Sequence, residues 1–112
     1  MTIYKIMRAD EWAALRRNKA SDGAPVDLSD GFIHFSTAAQ VRETAARHFA
    51  DAEGLMLLAV DELRLGDALR WEPARGGDLF PHLYGALLLE AVEWAQPLPW
   101  TGAGHQFPEG FA

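Results

Sequence analysis

The sequence predicts an α+β domain in which a small mixed sheet is flanked by two helices. Three observations predict it. Ile3 to Met7 alternates apolar and polar residues, the signature of a strand, and a helical pattern follows at once. Leu55 to Val60 is an unbroken apolar run of strand length between turn signals. Between them, a strand at Phe32 to Phe35 feeds directly into a second helix. With 112 residues and 49% apolar side chains, the chain has the size and material for one core, and residues 1–112 read as one domain.

The elements follow in order. After the first strand, Ala9 to Arg17 forms a helix with Asp10 and Glu11 in its first turn, where carboxylates suit the positive end of the dipole. Trp12 and Leu15 share a face, and Asn18 stops it. Lys19 to Gly31 is rich in Ser, Asp, Gly and Pro and reads as a loop. Phe32 to Phe35 is the second strand. Thr37 with Gln40 fits a capping box. The helix it starts runs to about Ala52, with Val41, Ala45 and Phe49 as a buried stripe and His48 beside them. Glu43 and Arg47 form an i,i+4 pair on its solvent side, and Gly54 closes the turn. Leu55 to Val60 is the central strand, and Asp61 to Gly66 a short turn. Leu69 to Glu72 is a fourth strand, stopped by Pro73. Ala74 to Asp78 is a Gly-rich loop. Ala86 to Gln96 supplies one or two more strands with Glu90 and Glu93 outward, and an irregular tail follows Pro97.

Composition excludes several classes. The net charge is −6 with no basic cluster, which argues against general nucleic-acid binding, since phosphate neutralisation supplies most of that affinity. No apolar run approaches the roughly 20 residues that span a bilayer, and the first residues do not make a signal peptide. The chain has no cysteine, so neither disulfides nor thiolate chemistry enter, and a cytoplasmic location is expected. No GxGxxG follows a strand, and neither a GxxxxGKS/T loop nor a GxSxG elbow is present. None of the four histidines has an i,i+4 partner histidine, so no metal is assigned, although His34, His82 and Glu72 were they to meet would be the set to consider.

Polar residues gather in two motifs. The first is Asp30-Gly31-Phe32-Ile33-His34-Phe35-Ser36-Thr37. Alternation puts Phe32, His34 and Ser36 on one face of the strand, just before a helix N-terminus whose free N–H groups suit an anion. His34 could donate to a ligand oxygen while Ser36 and the helix end hold an anion; the plainer alternative is a capping hydroxyl and a satisfied histidine. The second is Arg70 to Gly85. Arg75 beside two glycines could grip a phosphate, Tyr84 or Trp71 offers a face for a planar ring, and Glu72 and His82 could serve as acid or base. The plainer alternative pairs Arg75 with Asp78 and assigns the aromatics to the core.

These motifs, with Ile3-Tyr4-Lys5-Ile6, Trp12, Gln40 and Trp71-Glu72, resemble the uncharacterised bacterial family known as domain of unknown function 952, from Ile3 to about Pro97. More distantly, the strand-helix-loop order and the His-Phe-Ser-Thr strand entering a helix are similar to ADP-ribosyltransferase-like folds, including RNA 2′-phosphotransferases. That resemblance implies a mostly antiparallel sheet split around a cleft that holds NAD or an ADP-ribose-like group. It places Tyr4-Lys5 at the ribose contact, where many members have a histidine, and His34 and Ser36 beside the nicotinamide. Glu72 or Glu93 would be the late carboxylate. The candidate ligand-binding residues are therefore Tyr4, Lys5, His34, Ser36, Arg75, His82 and Tyr84, with Glu72 and His34 as candidate catalytic groups and NAD as the candidate cofactor. A non-catalytic sensor or a protein-interaction domain that has lost the chemistry is the alternative.

Overall fold

The computed structural model describes residues 1–111. Along the chain run β1 (Thr2–Arg8), α1 (Ala9–Asn18), β2 (Ala20–Ser21), α2 (Pro25–Asp30), β3 (Ile33–His34), α3 (Ala38–His48), β4 (Leu55–Asp61), β5 (Leu69–Pro73), β6 (Leu79–Leu83), β7 (Leu87–Leu88) and β8 (Val92–Leu98). The strands form three sheets, β1-β4-β8, β3-β6-β5 and the small pair β2-β7. Every strand pair among the described residues is antiparallel, so the sheets are not mixed.

β4 occupies the centre of its sheet, and Leu57, Leu58, Ala59 and Val60 are fully buried. Its alternation sends Leu55 and Leu57 to one core with Ile6, Val41, Ala45 and Leu98, under α3. Leu58 and Val60 go to a second core with Ile3, Met7, Leu15, Ile33, Phe35 and Leu83. That second core fills the space between the two larger sheets and α1. The capping box at α3 is formed: Gln40 N donates to Thr37 Oγ1 at 3.2 Å, and Thr37 N to Gln40 Oε1 at 3.0 Å.

Three expectations are corrected. The stretch from Lys19 to Gly31 is not simply a loop: it carries β2 and a third helix, α2. Pro25 stands at the first turn of α2, where its missing N–H costs nothing. Gly31 ends it in the left-handed conformation (φ 88°), its N–H bonded to the Asp27 carbonyl at 2.9 Å. α3 stops at His48 rather than Ala52. Phe49 still bonds Ala45 O, but its φ of −130° leaves the helix, and His48 is exposed. Finally, β8 continues through Pro97 to Leu98. It is an edge strand, where a residue without an N–H is tolerated.

The two larger sheets touch through their edges. Tyr4 of β1 and Ser36, just beyond β3, exchange both backbone hydrogen bonds, at 2.8 and 2.9 Å. The space flanking this seam, roofed by α2 and α3, is where the polar side chains collect.

Candidate functional site

The sheet β3-β6-β5 is amphipathic by alternation. Ile33, Phe35 and Leu83 point into the core, so Phe32, His34 and Ser36 on one strand and Phe80, His82 and Tyr84 on its neighbour point the other way. The register sets His34 directly opposite His82. Their rings meet edge-on with centroids 5.6 Å apart, and Phe32 packs against both, at 4.6 and 4.1 Å.

His34 is held by a residue that sequence reasoning left in a loop. Asp27 of α2 is only 1% exposed, yet its carboxylate is fully satisfied. Oδ1 accepts from His34 Nδ1 at 2.6 Å and from His34 N at 3.1 Å. Oδ2 accepts from Lys5 Nζ at 2.9 Å and from Ala24 N at 2.8 Å. Burial pushes the Asp27 carboxyl up, but the hydrogen bond from His34 and the charge and hydrogen bond of Lys5 outweigh it, holding the group below the ordinary carboxylate range. Lys5 shares its strand face with Ile3 and Met7 and is only 7% exposed, so Asp27 is also its counter-ion. The second ring nitrogen of His34 meets Asp30 Oδ2 at 2.9 Å, on a side chain 45% exposed. Carboxylates only accept, so His34 Nδ1 is the donor to Asp27, while Nε2 lies within ion-pair distance of Asp30.

His82 is held differently. It is buried, and its Nδ1 donates to Glu72 Oε1 at 2.8 Å, diagonally across the β5–β6 pair. Tyr84 donates its hydroxyl to the same oxygen at 2.7 Å. The Tyr84 hydrogen bond, then that of His82, lowers the Glu72 carboxyl, while the Tyr84 hydroxyl is raised by giving its hydrogen bond to that anion. His82 Nε2 has no protein partner among the described residues and is not sealed off, and His82 is one of the residues that line the cavity.

Opposite stand β1, α3 and the β5–β6 connection. Arg75 lies over the Phe80 ring, 4.9 Å from its centroid, and is fixed by Thr44 Oγ1 at 3.1 Å and Glu43 Oε1 at 3.2 Å. It does not pair with Asp78. Thr44 Oγ1 also lies 2.9 Å from Ser36 Oγ and donates to Gln40 O, so hydroxyl and guanidinium are locked to one helix turn. These groups enclose a cavity of about 640 Å³. Tyr4, Lys5, His34, Ser36, Arg75 and His82 all line it, and so do Asp27, Asp30, Thr44 and Phe49. Burial, with a smaller contribution from Glu93, raises the Tyr4 hydroxyl.

Glu72 and Tyr84 do not line the cavity. They sit behind His82, and Tyr84 is an exposed residue under the Arg70 guanidinium. Glu93, the other late carboxylate, is exposed and accepts from Thr2 Oγ1. Asp27 and Thr44 are among the lining residues that sequence reasoning passed over, as are Arg8 and Glu11. A signal for the first existed, because Pro25 followed by Asp27 and closed by Gly31 is a short-helix pattern. No group of three or more His, Asp or Glu side chains among the described residues has the geometry to hold a metal ion. No helix is long and apolar enough to cross a membrane.

The family described as protein of unknown function (DUF952) matches residues 6–95, a span that includes both histidines, Asp27 and Arg75. The chain belongs to this family. The crystal structure of protein CC0527 from Caulobacter crescentus is similar at a TM-score of 0.90 and 43% identity, covering 95% of this chain and 94% of that one. A double mutant of CC0527 gives 0.90 and 41% over the same shares. Its solution NMR structure gives 0.82 and 44%, over 93% and 90%. No curated protein matches the chain.

Proposed function

We propose that this DUF952 protein binds a nucleotide or ADP-ribose-like small molecule in the cavity beside the sheet seam. The observation that carries the reading is the convergence of two remote stretches of chain. His34 and Ser36 from one, and Arg75 and His82 from the other, line a single hollow together with Tyr4 and Lys5. The hollow has the volume of a small-molecule site, with mostly apolar walls and a few fixed polar groups. Arg75 supplies a guanidinium whose orientation is already set, suited to phosphate oxygens. Phe49 and Val41 add apolar surface to the lining against which a base can rest.

The resemblance to ADP-ribosyltransferase-like folds makes NAD and ADP-ribose the first ligands to try. Glycosidic transfer from NAD calls for a free carboxylate at the ribose. Neither Glu72 nor Glu93 lines the cavity. Asp27 is enclosed by four donors, and Asp30 is engaged with His34. The geometry therefore favours a phosphate-directed reading of the pocket over an N-glycosidic one. Titrating NAD, ADP-ribose and AMP separately and following thermal stability tests the binding. A ligand at a hundredfold its Kd adds about 2.7 kcal/mol. Silence from all three at millimolar concentration would remove the proposal.

A further inference from the structure

We propose that His34 and His82 act as a proton-transfer pair that hydrolyses a phosphodiester held in this cavity. The inference rests on the reading of the cavity as a nucleotide site and names its reaction class. Two imidazoles face each other across one strand pair, and each has its Nδ1 fixed by a carboxylate, His34 by Asp27 and His82 by Glu72. A carboxylate on Nδ1 sets both the tautomer and the direction of Nε2, the requirement for a positioned acid or base.

The two environments differ in the way such a pair needs. His34 lies against two carboxylates, with Nδ1 hydrogen-bonded to Asp27 and Nε2 2.9 Å from Asp30, a setting that suits the donor of the pair. His82 has one carboxylate, on Nδ1, and leaves Nε2 open as an acceptor. Asp30, half-exposed, lies 2.9 Å from His34 Nε2, so in this scheme it gives way toward solvent for a substrate oxygen to take that place. Arg75 and Arg8 are the guanidinium groups on the lining that can meet the phosphate oxygens, since Lys5 is buried against Asp27.

The step balances with water as co-reactant. The water oxygen forms a new bond to phosphorus while its proton passes to His82 Nε2. The bond from phosphorus to the departing alkoxide oxygen breaks with its electron pair on that oxygen, which takes the proton from His34 Nε2. The products are a phosphomonoester and an alcohol. Solvent then returns a proton to His34 and removes one from His82. Asp27 and Glu72 are positioning residues in this scheme, acting through the rings they hold.

The test uses the full chain with adenosine 2′,3′-cyclic phosphate as substrate, in EDTA, with product followed by phosphorus NMR. Binding of adenosine 3′-monophosphate is measured in parallel by calorimetry. The expected result is turnover by the wild type and a loss of roughly 10²- to 10⁴-fold in kcat for His34→Gln and for His82→Gln, with nucleotide binding weakened but still measurable in both. Glu72→Gln lowers kcat with KM unchanged, and it keeps the test open should His82→Gln not fold. Nucleotide binding without turnover would overturn the proton-transfer pair and leave the binding site standing. Absence of binding would overturn both. Turnover that survives both histidine substitutions, or that vanishes in EDTA, would overturn the assignment of the chemistry to these rings.

Discussion

Removing the Asp27 carboxylate is the most informative single change to the molecule. In Asp27→Asn, the buried Lys5 ammonium loses its counter-ion, and the single amide oxygen can no longer accept from both the His34 side and the Lys5 side. Breaking a buried pair by deleting one partner costs about 3–5 kcal/mol, because the remaining charge is left uncompensated. With an unfolding entropy of roughly 2.1 cal/mol/K per residue, a chain of this length loses about 4 °C in Tm for each kcal/mol. The expected drop is therefore about 13–20 °C, read by circular dichroism on heating. The same carboxylate gives a pH signature. Its folded pKa lies below the unfolded one, so the stability it contributes is present above the ordinary carboxylate range. That stability is lost as pH falls through about 4 toward the folded value. Wild type should thus lose stability over that window, and Asp27→Asn should lose less. Replacing Lys5 as well, in Lys5→Met with Asp27→Asn, should recover part of the loss, since no buried charge remains. A drop below about 4 °C, or a double variant no better than the single one, would refute the account of Asp27 as the electrostatic centre.

Other predictions follow from neighbouring geometry. A methyl group at Gly23 would sit 2.6 Å from Asp27 Cβ on a backbone with φ of +108°, so Gly23→Ala should destabilise the fold and weaken ligand binding together, read by melting and calorimetry. Arg75→Ala should weaken nucleotide binding at least tenfold and make it less dependent on salt, because it removes a guanidinium from the cavity lining. Spectrophotometric titration should find Tyr84 ionising above free tyrosine, and Glu72→Gln should bring it back down. Leu57→Ala, at a fully buried position in the central strand, should cost about 2–5 kcal/mol in denaturant unfolding without changing ligand affinity in the folded protein.

The sequence made the long elements legible where one physical signal dominated. The apolar run of β4 and the capping box of α3 announced themselves, as did the alternation that puts His34 and Ser36 on one face. It hid α2, because six residues are too few for a periodic stripe and the surrounding Ser, Asp and Gly speak for a loop. Asp27 looked like one more solvated acid beside Asp22 and Asp30; only the fold shows that Lys5, itself in the middle of an apolar strand, needs it. The partnership of His34 with His82 depends on a strand pairing across 48 positions of chain, and pairing register is not written in local pattern. Glu72 was recognised as a chemical group but not as the one behind His82, since a diagonal neighbour becomes visible only when β5 and β6 are aligned.

The bridge between Tyr4 and Ser36 bears on how such a pocket changes over time. Among the described residues, main-chain atoms of just this pair join the edges of the two larger sheets. The spacing of the two sheet edges at this point is therefore gauged by backbone rather than by any side chain. Substituting side chains around the hollow can alter which guest is preferred while this seam stays as it is, so new preferences can be tried without rebuilding the frame.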